Sequence, residues 1–327
     1  MGNILSQSFF LPEPVLTEKN LKDQHGKVFI VTGGYAGVGF ELSKILYQHN
    51  GTVYIAGRSQ AKGDKAISSI KSAFPSSKGR VELLLLDLQD LTTIKHSAEE
   101  FLAKESRLDV LTNNAGVMMP PVGSKSAQGY EVQMATNCLG HFLFTSFLLP
   151  TLKSTAESSP PGSVRVTWAG SLGVDTYSPK PGGMLFDSDG SPKVLGKPSA
   201  DYGTSKVGNV FLATETARRY GKDGIVSVAW NPGNLQSELQ RHVENGVFRI
   251  LSRVFLHKPV FGAYTELFAG WSPDVTPAQN GAYIIPWGRF GTFRKDIVPS
   301  TRPVAESGNG KAEKFWEWCD KETRQYR

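Results

Sequence analysis

Thr32-Gly33-Gly34-Tyr35-Ala36-Gly37-Val38-Gly39 is the stretch on which the fold turns. Upstream, residues 27–32 form a short Val- and Ile-rich run that reads as a buried strand. Downstream, Val38, Leu42, Ile45 and Leu46 fall on one side of a helix over 38–49. Glycines between a strand and a helix permit a tight turn and let a phosphate approach the backbone. The helix start adds free N–H groups and the positive end of its dipole. A Gly-rich loop alone can be a plain structural turn, but its place between strand and helix points to a nucleotide.

The alternation continues outward from this loop. Strands are expected over 52–56, 81–86, 110–112, 163–168, 225–230 and 282–286. Helices are expected over 61–74, 92–104, 130–149 and 202–220, with Pro75 and Pro150 as stops. The near-continuous apolar character of 81–86 suits burial on both faces. This pattern predicts an α/β fold, one doubly wound parallel sheet with helices on both faces. Residues 1–24 carry Pro12 and Pro14 and read as an arm. Residues 25–300 are expected to form one domain, with a covering segment at about 236–271. Residues 301–327 form a tail, in which Phe315-Trp316-Glu317-Trp318 suggests a helix packing its aromatics.

Composition narrows the class. With 39% hydrophobic and 20% charged residues, the chain is neither collagen-like nor wholly disordered. Two cysteines, Cys138 and Cys319, exclude a disulfide scaffold and read as free thiols. No apolar run reaches the length of a membrane span. The net charge of +6 comes from interleaved charges, so no nucleic-acid partner is expected. Met1-Gly2-Asn3-Ile4-Leu5-Ser6 fits the N-myristoylation pattern, the alternative being a plain surface arm. A single acyl chain on Gly2 binds membrane only weakly, so the expected location is the cytoplasm, with peripheral association only if Gly2 is acylated.

The second strand ends in Ala56-Gly57-Arg58-Ser59, with Lys62 behind it. An acid placed there takes a ribose 2′-hydroxyl, whereas a guanidinium pairs with a 2′-phosphate. Arg58 therefore favours NADP(H) over NAD(H), unless it is only a solvated loop cation. Asp87-Leu88 ends the third strand, where the carboxylate accepts from an adenine amine or serves as a turn acid. Asn113-Asn114-Ala115-Gly116 ends the fourth with small residues that let backbone pass beside a cofactor. No metal site is expected.

Tyr202-Gly203-Thr204-Ser205-Lys206 puts a phenol and an ammonium at i, i+4 on one helix face. A free phenol has a pKa near 10, and a nearby ammonium lowers it. Tyr202 then becomes a general acid or base for a carbonyl/alcohol pair.

Taken together, the motifs from Lys27 to Ser237 resemble the short-chain dehydrogenase/reductase family of classical type. Within it the chain is most similar to the retinol-dehydrogenase-like branch and to fungal oxidoreductases. The resemblance implies a Rossmann-type fold and a tetrad. Asn137 matches the residue that holds a water connecting to the lysine. Ser171 matches the serine that binds the substrate carbonyl, Tyr202 the proton donor, and Lys206 the lysine on the nicotinamide ribose. Ser171 stands 31 residues before Tyr202, a longer interval than in compact members, and the loop over 180–198 accounts for it. Asn231-Pro232-Gly233-Asn234-Leu235-Gln236-Ser237 matches the segment that touches the nicotinamide. The expected cofactor set is Thr32, Gly33, Tyr35, Ala36, Gly37, Val38, Gly39, Arg58, Lys62, Asp87, Leu88, Asn114, Ala115, Gly116, Tyr202, Lys206, Pro232, Gly233, Leu235 and Ser237.

Val247, Phe248, Ile250, Leu251, Val254, Phe255, Leu256 and Phe261 suggest an apolar lid over a small lipophilic carbonyl or alcohol. Retinoid-, steroid-, aldehyde- and polyketide-like compounds all fit, and so does a core or dimer-face role for these residues. His242 and His257 lie in the same segment and read as ordinary loop histidines. Family resemblance also implies a homodimer through the helices at 130–149 and 202–220. Two other readings stay open: a non-redox epimerase or dehydratase on the same fold, and a cofactor-binding scaffold without turnover.

Overall fold

The computed structural model describes residues 6–9, 11–236 and 256–327. Among these, eight strands form one sheet: β1 (Val28–Thr32), β2 (Thr52–Gly57), β3 (Arg80–Leu85), β4 (Val110–Asn113), β5 (Arg165–Ala169), β6 (Val226–Trp230), β7 (Tyr283–Ile285) and β8 (Arg289–Gly291). Their order is β3-β2-β1-β4-β5-β6-β7-β8. Strands β1 to β7 run parallel and β8 returns antiparallel to β7.

The helices are α1 (Gly37–Gln48), α2 (Gln60–Ala73), α3 (Leu91–Leu102), α4 (Val132–Met134), α5 (Gly140–Glu157), α6 (Gly173–Thr176), α7 (Pro198–Tyr220), α8 (Pro259–Trp271) and α9 (Lys311–Thr323). A π-helical turn, Ala135–Leu139, joins α4 to α5. The fold is the doubly wound Rossmann type.

Alternation along β1 shows why. Val28 and Ile30 enter a cluster with α3, α5, α7 and α9. Phe29 and Val31 enter another with α1, α2 and α8. Successive side chains point to opposite faces, so a strand covered by helices on both sides must be apolar at every position. β2 and β4 flank β1, so the chain leaves the sheet in opposite directions there and a crevice opens at the strands' C-terminal ends.

Several expectations change. β3 is an edge strand rather than one buried on both faces, and its Leu85 is 45% exposed. Pro150 does not stop its helix: α5 runs through it to Glu157. Pro150 is exposed, so the carbonyl that loses its N–H partner can turn to water. α7 begins four residues before Tyr202, with Pro198 in its first turn, a position where the missing N–H costs nothing. β8 was not expected from the sequence. α8, inside the range assigned to the lid, is a core helix packed against α1, with Ala263, Leu267 and Ala269 fully buried. Of the other lid residues, Val247, Phe248, Ile250, Leu251, Val254 and Phe255 lie outside the described residues, as do His242 and Gly2.

The C-terminal helix α9 buries Phe315, Trp316 and Cys319 in the main core. Trp316 meets Phe142 of α5 at 4.8 Å, and Phe315 meets Phe211 of α7 at 6.3 Å, both edge to face. The helices assigned to a dimer face thus carry α9 on part of their surface. Among the described residues no helix is long and apolar enough to cross a membrane.

Candidate active site

A cleft of about 380 Å³ lies at the C-terminal ends of β1 to β4. Gly33, Tyr35, Ala36, Gly37, Val38, Arg58, Lys62, Asp87, Leu88, Asn114, Ala115 and Gly116 all line it, as expected. Ser59, Gln89, Val117 and Thr136 line it too and were not expected. Gly33 adopts φ +67° and Gly37 φ +56°, left-handed conformations that favour glycine. At Gly39 a Cβ would stand 2.5 Å from Asn114 Nδ2. α1 begins at this loop without a side-chain cap, so its first N–H groups remain available to an anion. These features fit a dinucleotide pyrophosphate.

At the β2 end of the cleft, Arg58 Nη1 donates to Gln89 Oε1 at 3.4 Å. Ser59 caps α2, accepting from the Lys62 N–H. Asp87 Oδ1 accepts the Gln89 N–H at 2.9 Å, so it is a turn acid that also lines the cleft.

Thr32 is not a lining residue. It is fully buried beneath the loop and fastens it. Its Oγ1 accepts the N–H groups of Asn114 and Ala115, each at 2.9 Å. It stands 2.8 Å from His141 Nε2. The hydroxyl proton has two acceptors in reach, Thr112 O at 3.3 Å and the nearer His141 Nε2, to which it points. His141 Nδ1–H then donates to Asn137 O at 3.1 Å. Burial pushes the His141 pKa down to about 3, consistent with this neutral tautomer.

Four further side chains stand beside Gly116, which lines the cleft, and beside Gly173. On α7, Lys206 Nζ lies 5.7 Å from the Tyr202 ring centre and donates to Ala169 O at 2.9 Å. A Cβ on Gly173 would lie 3.1 Å from the Tyr202 ring and 3.4 Å from Ser171 Oγ. A Cβ on Gly116 would lie 3.0 Å from Asn137 Oδ1 and 3.5 Å from Lys206 Nζ. Gly173 thus leaves room beside Tyr202 and Ser171, and Gly116 beside Asn137 and Lys206. Asn137 sits in the π-helical turn, a feature frequent at functional sites. Its carboxamide exchanges bonds with the backbone of Val117 and donates to Ser205 Oγ at 2.9 Å.

Comparison with known proteins agrees with this geometry. Residues 27–164 match the family described as short chain dehydrogenase. A short-chain dehydrogenase/reductase of Phomopsis amygdali is 48% identical over 325 residues, covering 97% of this chain and 95% of the relative. One from Neocamarosporium betae is 43% identical, covering 97% and 92%.

The chain belongs to the short-chain dehydrogenase/reductase family.

An uncharacterized oxidoreductase of Schizosaccharomyces pombe is 38% identical, covering 90% of this chain and 86% of the relative. Among solved structures, an uncharacterized protein from Mycobacterium paratuberculosis aligns with TM-score 0.65 at 25% identity, covering 94% of this chain and 97% of that one. The Pseudomonas aeruginosa RhlG/NADP complex aligns with TM-score 0.62 at 22% identity, covering 80% and 95%, which shows the fold.

Electrostatics in this short-chain dehydrogenase/reductase differ from the sequence expectation at one point. The Tyr202 phenol is not lowered but pushed up to about 12, because burial outweighs the hydrogen bond to Ser171 that favours its ionised form. Burial likewise pulls Lys206 down to about 8. Desolvation disfavours the charged form of each group, which is why the two move toward neutrality.

Pro232, Gly233 and Leu235 follow β6, with Gly233 at φ +85° against Trp287. Ser237 lies outside the described residues. His257 packs its ring against Trp287 at 4.9 Å. Cys138 is core: fully buried, its thiol donates to Ser205 O and its pKa is pushed up by desolvation. His141 and Gln7 were missed by sequence reasoning. The first had one signal, its i+4 spacing from Asn137. The second had none.

Proposed function

We propose that this family member is an NADP(H)-dependent oxidoreductase that interconverts a carbonyl and an alcohol on a small lipophilic substrate. The observation that carries the reading is that Ser171 stands with Tyr202 beside Gly173, while Lys206, on the same helix as Tyr202, stands with Asn137 beside Gly116 at the cleft. When bound, the nicotinamide dinucleotide supplies or takes up the hydride. Tyr202 is protonated at neutral pH and gives that proton to the carbonyl oxygen in reduction. Ser171 Oγ–H donates to the same oxygen. Lys206, near the Tyr202 ring, favours the phenolate left behind. Asn137 ties the loop after β4 to α7 and so keeps these groups in place.

Arg58 and Lys62 at the β2 end support NADP(H), since they offer cations where a 2′-phosphate would lie. The free, buried Cys138 and Cys319 fit a reducing compartment such as the cytoplasm. The test is a fluorescence titration with NADPH and NADH, followed by NADPH oxidation against a panel of lipophilic aldehydes and ketones. Tighter NADPH binding, with turnover abolished by Tyr202→Phe and binding retained, supports the reading. Turnover unaffected by Tyr202→Phe refutes the tyrosine's role. NADH preference refutes the Arg58 argument. Binding without turnover of any carbonyl favours an epimerase, a dehydratase or a scaffold.

A further inference from the structure

Gln7 lies at the far end of the chain from the catalytic elements, yet it is 1% exposed. Its Nε2 donates to Asp175 Oδ2 at 3.0 Å, and its Oε1 accepts from Asn231 Nδ2 at 2.8 Å. Asn231 Oδ1 in turn accepts the Gly233 N–H at 3.0 Å. The line has only one workable direction. A carboxylate accepts and cannot donate, so Gln7 must turn its NH₂ to Asp175 and its oxygen to Asn231. Asn231 must then present its NH₂ to Gln7, which leaves its oxygen for Gly233.

The two ends of this line lie in the segments that follow β5 and β6. Asp175 lies in α6, which starts two residues after Ser171. Gly233 lies in the loop after β6, at φ +85° and packed on Trp287. Ser6 is held from the same side, since Arg289 Nη2 donates to its carbonyl at 2.8 Å. Arg294 anchors α6 from behind by donating to Val174 O and Asp175 O. Gln7 is therefore the link between the turn behind Ser171 and the loop at Gly233.

We propose that Gln7 is a positioning residue. Its carboxamide fastens α6 to the loop after β6 and so keeps these two segments in register as walls of the substrate site. The functional part of this inference rests on the reductase reading, because only then does the space between the walls receive a carbonyl substrate.

The test reverses the line one position at a time. Gln7→Glu removes the donor and sets a second carboxylate against Asp175. Hydrogen exchange at Gly233 and across Gly173–Thr176 should quicken about tenfold or more. With the best carbonyl of the panel, kcat/KM should fall about tenfold, while the NADPH Kd stays within about threefold. Adding Asp175→Asn supplies a donor where the carboxylate was, so the side chain at position 7 accepts from both sides. This double variant should regain exchange protection and most of kcat/KM. Gln7→Leu, which removes the tie without adding a charge, should lower exchange protection and kcat/KM in the same direction.

Unchanged exchange in Gln7→Glu and Gln7→Leu overturns the proposal. So does a double variant that regains no exchange protection over Gln7→Glu. Exchange is read without substrate, so it judges the tie even if the wild-type protein turns over no carbonyl. That second result would instead refute the reductase reading.

Discussion

Thr32→Val tests the claim that Thr32 fastens the nucleotide loop. The substitution keeps the shape and removes the hydroxyl, so it leaves no cavity. Two groups lose their partner, the N–H of Ala115 and Nε2 of His141, while the N–H of Asn114 keeps Thr112 O at 3.0 Å. Ala115 is half-buried, so water can partly replace the lost acceptor, whereas His141 is fully buried. At about 1 kcal/mol for the Ala115 amide and about 1–2 for the imidazole nitrogen, the loss comes to roughly 2–3 kcal/mol. That is a large share of the ~5–15 kcal/mol that holds a domain folded. In thermal melts it corresponds to a drop of roughly 4–9 °C, at about 2–3 °C per kcal/mol for a chain of this size. Thr32→Ser keeps the oxygen and should cost only about 1 kcal/mol, the cost of a lost methyl group. NADPH affinity should fall with Thr32→Val as well, because Asn114, Ala115 and Gly116 line the cleft. A Thr32→Val melt within 2 °C of wild type would refute the reasoning, on a scale of about 2–3 °C per kcal/mol. A Thr32→Ser drop as large as that of Thr32→Val would assign the effect to the methyl group instead.

Other consequences can be checked on the same protein. Burial holds Lys206 near 8 in the folded chain, below its usual 10.5, so between those pH values the unfolded chain binds more protons and stability rises with pH. Melting temperature relative to Lys206→Met should therefore climb from pH 8 to 10; a flat or falling difference contradicts the buried-lysine assignment. Gly39→Ala forces a Cβ to 2.5 Å from Asn114 Nδ2 and 3.0 Å from Gly33 O, so it should cost about 1–3 kcal/mol and weaken NADPH binding. Normal binding by that variant would show that the loop has room to spare. Phe315→Ala empties a fully buried position between α9 and α7 and should cost about 3–5 kcal/mol in urea unfolding. A loss under about 1 kcal/mol would mean that α9 adds little to the core.

The part of the site legible in the sequence is the part carried by short local patterns. Thr32 to Gly39 declares a strand, a phosphate turn and a helix start. Tyr202 and Lys206 share a helix face because four residues make about one turn. The structure brings Ser171 and Asn137, distant in the chain, to the Tyr202 and Lys206 side chains of α7. What stayed hidden depends on partners distant in sequence. His141 is apolar by neighbourhood and polar by contact, and only its meeting with Thr32 reveals its tautomer. Tyr202 was expected to be acidified by Lys206, and its full burial reverses the sign. Gln7 sits in an arm with no periodicity, and its partners are 168 and 224 residues away.

The same division holds for the fold. Continuous apolar runs and helical spacing determined the alternating α/β order, because backbone periodicity is a local property. Sequence alone did not decide that β3 lies at the edge, that Pro150 stays inside α5, or that α8 is core rather than lid. Those outcomes depend on which face of each element meets water. Water is excluded only where distant segments pack together, so the tertiary structure alone could decide them.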